Sequence, residues 1–309
     1  MLSYRHSKTV ALIVAVAALA HGAATGAQAA SSGTRLLVDQ TGRTISVPED
    51  PQRVVALAPS ITEIVFALDQ GRRLRGATRF SDYPPEARSL PKVGSYVHLD
   101  LEKIVALDPD LCIAIKDGNP KEVVSRLERL AIPVYAVDPR DLNSVMATIL
   151  EVGRLLNVVA LAETAVQDMQ RRIARVTQKV EDIERRPRVF FQIGISPIVS
   201  VGTNTLIHEV IVAGGGTNVA AGPVPYPRFS REQVLVLAPD ILIITSMARK
   251  AVFEEVKTAW QKWPDLPAVE SGRIHLVDSD LFDRPSPRLV EGLELLARLI
   301  HPRMFTGKK

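Results

Sequence analysis

The stretch Leu101-Glu102-Lys103-Ile104-Val105-Ala106-Leu107-Asp108-Pro109-Asp110-Leu111-Cys112-Ile113 recurs 130 residues later as Arg231-Glu232-Gln233-Val234-Leu235-Val236-Leu237-Ala238-Pro239-Asp240-Ile241-Leu242-Ile243. Each copy reads as a short helix, a Pro-Asp break and an apolar strand. Proline fits the interior of neither a helix nor a central strand, so Pro109 and Pro239 mark the junction. A strand without polar alternation suits a parallel sheet covered on both faces.

The repeat extends in both directions. Downstream, Ile132-Pro133-Val134-Tyr135-Ala136-Val137-Asp138 parallels Arg273-Ile274-His275-Leu276-Val277-Asp278, a further strand ending in Val-Asp. Upstream, Arg53-Val54-Val55-Ala56-Leu57 parallels Arg188-Val189-Phe190-Phe191-Gln192, each a strand leading into a loop and helix. Two copies in the same order predict an α/β chain of two Rossmann-like lobes, each built on a central, mainly parallel sheet. Between them, residues 143–157 are amphipathic. Residues 158–183 continue with Leu161, Ala165, Met169, Ile173 and Val176 at helical spacing, until Arg185-Arg186-Pro187 stops the run. One long rigid helix joining two lobes permits small rocking rather than wide closure. The expected boundaries are residues 30–157 for the N-terminal lobe, 158–186 for the interlobe helix and 187–309 for the C-terminal lobe. Residues 36–47, around Thr41-Gly42, read as a hairpin ahead of the first sheet.

The N-terminus sets the compartment. Arg5, His6 and Lys8 precede an apolar run from Val10 to Leu19, and Ala27-Gln28-Ala29 is an A-x-A cleavage pattern. Residues 1–29 therefore read as a secretory signal peptide, too short and wrongly flanked for a membrane span. No cysteine lies near the cleavage site to carry a lipid, so a soluble periplasmic protein is expected. About 280 residues remain, comfortable for two domains. Cys112, the single cysteine, excludes an intrachain disulfide and falls inside an apolar strand, where a buried thiol is inert. The net charge of +4 comes from scattered lysines and arginines, so no nucleic-acid partner is expected, and the protein reads as a monomer.

Enzyme signatures are missing. There is no G-x-S-x-G elbow, no H-E-x-x-H and no P-loop. Gly214-Gly215-Gly216 follows a helical stretch and reads as a helix C-cap rather than a phosphate cradle. His98, His208, His275 and His301 lack metal-ligand spacing, so no metal site is expected. The competing enzyme class, a secreted hydrolase, would need a nucleophile–base pair that the sequence does not offer.

Two features remain to carry function. Glu102 and Glu232 open the repeated helices after Asp100 and Ser230, both good N-caps, and Ser230 to Gln233 has the capping-box pattern. Carboxylates there are favoured by the helix dipole alone, yet equivalent carboxylates on two related lobes also suit docking onto a symmetric two-subunit partner. The residues themselves weigh both alternatives evenly. Ligand contacts in α/β lobes belong to loops at strand ends. The first lobe offers Phe80, Tyr96, His98 and the run Lys116-Asp117-Gly118-Asn119; the second offers Ile198, Val199, Pro225-Tyr226-Pro227 and Asp280 to Arg284. Aromatic rings with an acid/arginine pair suit a large, partly apolar, amide-bearing ligand.

Several short motifs in order carry a resemblance. Ser81-Asp82-Tyr83-Pro84-Pro85, Gln192-Ile193-Gly194-Ile195, Val224-Pro225-Tyr226-Pro227 with Ser230 to Leu235, and Phe282-Asp283-Arg284 with Ser286-Pro287-Arg288 resemble the periplasmic cobalamin-binding proteins of the BtuF type. These are class III substrate-binding proteins of ABC transporters, and the likeness runs over nearly the whole chain after residue 29. It implies a corrinoid carried as transported ligand in the interlobe cleft, with no resident cofactor, and an ABC permease dimer of the inner membrane as partner. By matching position it implies Phe80, Tyr96 and Tyr226 as flat surfaces against the corrinoid, Asp280 and Arg284 at its polar periphery, and Glu102 and Glu232 as the pair meeting permease arginines. The family pattern has tryptophan where Tyr96 and Tyr226 stand, and aromatic residues where Ile115 and Val199 stand. Haem is the alternative ligand, since related haem carriers use an axial tyrosine near the region of Tyr96, with His98 close by. A ferric siderophore is the third.

Overall fold

The computed structural model describes residues 33–246 and 250–305. The expected leader, residues 1–29, lies outside the described residues. The chain opens with the expected hairpin, β1 (Thr34–Val38) antiparallel to β2 (Thr44–Pro48). The first sheet then forms from β3 (Val54–Ala56), β4 (Leu74–Ala77), β5 (Leu111–Ile115) and β6 (Val134–Val137), in the order β4-β3-β5-β6 and all parallel. Helices α1 (Pro59–Ala67), α2 (Leu101–Ala106) and α3 (Lys121–Arg129) connect these strands. The side chains of β3, β5 and β6 are buried on both faces, with Ile115 at the end of β5 half-buried, as continuous apolar strands require.

Two helices follow, α4 (Leu142–Leu155) and α5 (Val159–Val180). They are separate because Asn157 adopts a left-handed φ of 57°, which a right-handed helix cannot pass through. At 22 residues α5 spans about 33 Å. It ends at Val180, ahead of the Pro187 that marks the stop in the sequence. Arg172 of α5 grips Glu294 with two bonds of 2.9 Å, tying α5 to α10 (Leu289–Ile300).

The second sheet repeats the first. Its members β7 (Arg188–Gln192), β10 (Thr217–Asn218), β12 (Ile241–Ser246) and β13 (Ile274–Asp278) run parallel in the order β10-β7-β12-β13. Short strands β8 (Gly194–Ile195), β9 (Ile198–Val199) and β11 (Arg228–Phe229) form a small antiparallel sheet. Helices α6 (Leu206–Ala213), α7 (Arg231–Leu237), α8 (Lys250–Gln261), α9 (Pro267–Glu270) and α11 (Pro302–Phe305) complete the lobe with α10. The two-lobed α/β expectation is borne out, and in both sheets the first strand lies between the second and the third.

The repeated Pro-Asp has a mechanical use. The Asp110 carboxylate accepts the backbone N–H of Gln52 and Arg53 at 2.9 and 2.8 Å, and Asp240 accepts that of Arg188 at 2.8 Å. In each lobe the aspartate thus ties the entry of the third strand to the entry of the first. The residues ending the repeated helices, Asp108 and Ala238, are both left-handed, with φ of 46° and 41°. Gly214 caps α6, as the glycine run suggests.

Candidate ligand-binding cleft

In a parallel sheet, loops after strands leave on the carboxyl side, and a crevice opens where strand order reverses. Here that point lies between β3 and β5 in one lobe and between β7 and β12 in the other. The candidate residues sit on loops leaving these ends.

The first lobe supplies Phe80 and Tyr96. Phe80 is 41% exposed, packs edge-on against Tyr96 at 6.4 Å between centroids, and carries the Arg79 guanidinium 4.8 Å above its ring. Tyr96 is half-buried and lies over Gly118. A Cβ on Gly118 would come within 2.7 Å of the Tyr96 ring, and its φ of +134° suits glycine alone. Within the run Lys116 to Asn119, side chains separate by role. Lys116 pairs with Asp138 at 2.8 Å. Asn119 turns inward, donating to the carbonyls of Leu57 and Tyr96 at 2.8 and 2.7 Å and accepting from the Ile115 N–H at 2.8 Å. It is scaffold for Tyr96 rather than ligand surface. His98 is exposed, in a tight turn closed by Ser95 and His98 backbone bonds of 2.9 and 3.2 Å.

The second lobe supplies Tyr226, 60% exposed on the loop before β11. Its phenol is raised by desolvation first and then by the nearby acidic groups Asp283 and Asp117 and the Tyr96 phenol. Two of those groups belong to the first lobe, so Tyr226 lies within electrostatic reach of Tyr96 and Asp117. Val199 is half-buried on β9, its side chain against Gly194. Asp280 pairs with Arg284 at 2.7 Å, yet burial still raises its carboxyl. Asp283 keeps solvent contact, yet desolvation of its carboxyl, with Asp280 next to it, pushes it up to about 6. Arg284 is only 8% exposed, and its Nη groups bond to Glu63, Asp82, Asp280 and the Phe80 carbonyl.

Sequence reasoning passed over Glu63, and it offered Asn119 and Asp283 only as members of the loop runs 116–119 and 280–284. The signal for Glu63 was present: a lone carboxylate in the apolar helix Pro-Ser-Ile-Thr-Glu-Ile-Val-Phe-Ala, where a buried charge demands a partner. Nothing in the sequence separated an inward Asn119 from an outward one.

Away from the cleft, Glu102 and Glu232 are exposed in the first turns of α2 and α7. Asp100 caps α2 by accepting the Lys103 N–H at 3.2 Å, and Ser230 and Gln233 form the expected capping box at α7. The Glu232 carboxyl is held low by its own backbone N–H and by Ser230. Among the described residues, no group of His, Cys, Asp and Glu is placed to hold a metal, and no helix is long and apolar enough to cross a membrane.

Comparison with known proteins adds three likenesses and one family match. Residues 54–281 match the family model described as periplasmic binding protein. The chain is 35% identical over 242 residues to the vitamin B12-binding protein of Pectobacterium carotovorum, covering 78% of this chain and 85% of that one. It is similar to the solved periplasmic vitamin B12 binding protein BtuF of Vibrio cholerae, with a TM-score of 0.71 and 28% identity over 82% of this chain and 98% of that one. A periplasmic heme binding protein from Pseudomonas aeruginosa gives a TM-score of 0.75 and 27% identity, over 82% and 94%.

Proposed function

This chain belongs to the periplasmic binding protein family, and from that premise we propose that it captures a corrinoid of the cobalamin type between its lobes and delivers it to an ABC import permease. As a member of that family it is a periplasmic solute-binding protein and not an enzyme. What supports the ligand reading is the aromatic pair Tyr96 and Phe80 on one lobe with Tyr226, exposed on a loop of the other lobe, within electrostatic reach of Tyr96. A flat macrocycle between such rings buries apolar area on both faces. Val199 adds aliphatic surface, and Asp280 lies beside the cleft as an acceptor for amide groups at the macrocycle's edge. In this reading residues 30–157 and 187–309 are the lobes, 158–186 is their stiff link, and residues 1–29 are removed on export. Glu102 and Glu232 then meet arginines on the two permease subunits through charge-assisted contacts.

Haem is the second reading, favoured by the likeness to a heme-binding protein and by the exposed His98 near Tyr96. Calorimetric titration with cyanocobalamin, cobinamide and hemin separates the two. For a corrinoid, Tyr226→Ala weakens binding about tenfold to a hundredfold, taking roughly 1–3 kcal/mol per ring at 1.4 kcal/mol per decade. For haem, Tyr96→Phe alters the visible spectrum and Tyr226→Ala matters less. Tight hemin binding without any corrinoid heat would overturn the cobalamin reading and leave the solute-binding role in place.

A further inference from the structure

One buried polar cluster joins the two lobes beside the cleft loops. Glu63 of α1 is 3% exposed among Ile61, Ile64 and Val65. Its Oε1 accepts from Arg284 Nη1 at 2.9 Å and from Arg288 Nη1 at 3.1 Å, and its Oε2 accepts from Ser286 Oγ at 2.5 Å. All three donors come from the second lobe. Arg284 adds Asp82 Oδ1 at 2.9 Å and the Phe80 carbonyl at 3.1 Å, both in the first lobe, and Asp280 at 2.7 Å in its own. Three Nη hydrogens are thus bonded to the first lobe, and Nη2 also carries the ion pair with Asp280. Arg288 stacks its guanidinium 3.7 Å from the Tyr83 ring centroid, again across the lobes.

The position of the cluster matters as much as its strength. Besides Glu63 on α1, the first-lobe acceptors Asp82 and the Phe80 carbonyl lie on the loop that carries Phe80, and the second-lobe donors lie in the segment that carries Asp280 and Asp283. Low-dielectric surroundings raise the Glu63 carboxyl, opposed by Ser286, Arg284 and Arg288. A carboxylate so buried is tolerable only while those partners stay in place, so separation of the lobes here would strand it.

We propose that Glu63 is a positioning residue for ligand capture: by anchoring the Arg284–Arg288 segment to the first lobe, it sets the spacing between the cleft loops of the two lobes before ligand arrives. Arg284 then acts through its Nη groups as a strut between the lobes. The inference rests on the cleft being the ligand site, but not on which ligand it takes.

The test measures the distance between lobes in ligand-free protein. Arg129→Cys and Asp265→Cys place one spin label on each lobe at exposed positions. The buried Cys112, its thiol pushed up to about 12, stays unlabelled. In this background Glu63→Gln keeps the side-chain shape and removes the charge, while Ser286→Ala removes one bond. We expect Glu63→Gln to lengthen and broaden the distance distribution by several ångström, with Ser286→Ala shifting it less in the same direction. Affinity for whichever of cyanocobalamin or hemin binds the wild type falls about tenfold if the competent population drops to roughly a tenth. Should Glu63→Gln fail to fold, Ser286→Ala decides alone. A wild-type distribution in the folded variants overturns the proposal, and so does a changed distribution with unchanged affinity. Wild-type protein that binds neither probe sinks the ligand reading, while the ligand-free distances still report on the anchor.

Discussion

Replacing Asn119 separates a scaffold role from a ligand role more sharply than any change on the cleft surface. The side chain is 7% exposed and makes three bonds, to Leu57, Tyr96 and Ile115, all between 2.7 and 2.8 Å. Asn119→Ala leaves two carbonyls and one N–H without partners. At about 1 kcal/mol per lost bond, and more where water cannot enter, the expected loss of stability is about 2–4 kcal/mol. Asn119→Asp tests the orientation of the amide. One oxygen still accepts from Ile115, but the other now points at two carbonyl oxygens, so at neutral pH the variant should be at least as unstable as alanine. That environment raises the folded-state pKa of the new carboxyl, so the folded protein binds the proton more tightly than the unfolded chain. Its deficit against wild type should therefore shrink as pH falls from about 7.5 toward about 5, where a protonated oxygen again donates. Urea unfolding of wild type and both variants at each pH measures this, with ligand affinity recorded alongside because the Tyr96 backbone is released. An aspartate variant as stable as wild type at neutral pH, or an alanine loss under about 0.5 kcal/mol, would refute the bonding described.

Three further outcomes are expected. Asp283→Asn should stabilise the ligand-free protein above pH 6, because the folded carboxyl is raised to about 6 and its charged form is disfavoured. The shift alone would suggest about 3 kcal/mol, which solvent contact reduces to about 1 kcal/mol; thermal melts should show the gain vanish as pH falls from about 6 to about 4. Reversing Glu102 and Glu232 to lysine should leave ligand affinity unchanged and abolish stimulation of the permease ATPase; lost ligand binding in the isolated variant would assign both residues to the cleft. Intact mass of the exported protein should begin at Ala30 or within about two residues of it, and a mass retaining residues 1–29 would indicate an uncleaved anchor.

The architecture was legible in the sequence because it is written in local terms. The Pro-Asp breaks at 109–110 and 239–240, the apolar strands after them and the caps at Asp100 and Ser230 each depend on residues close along the chain, and the repeat doubles every signal. Strand type, helix starts and two related lobes follow from periodicity and from where proline and left-handed residues can sit. The aromatic candidates Phe80, Tyr96 and Tyr226 were also readable, as loop residues at strand ends. Which side chains turn inward was not. Asn119 and Asp117 are two residues apart in the same polar run, yet one is bonded to three backbone groups and the other is exposed. Arg284 reads as ligand contact by position, but its partners Glu63 and Asp82 lie 221 and 202 residues away. Only packing of the two lobes brings such groups together, and only burial decides that a carboxylate like Glu63 must be paired. Local sequence carries the elements and their order; the pairing of charges distant along the chain is a property of the assembled interior, where desolvation leaves them no other partner.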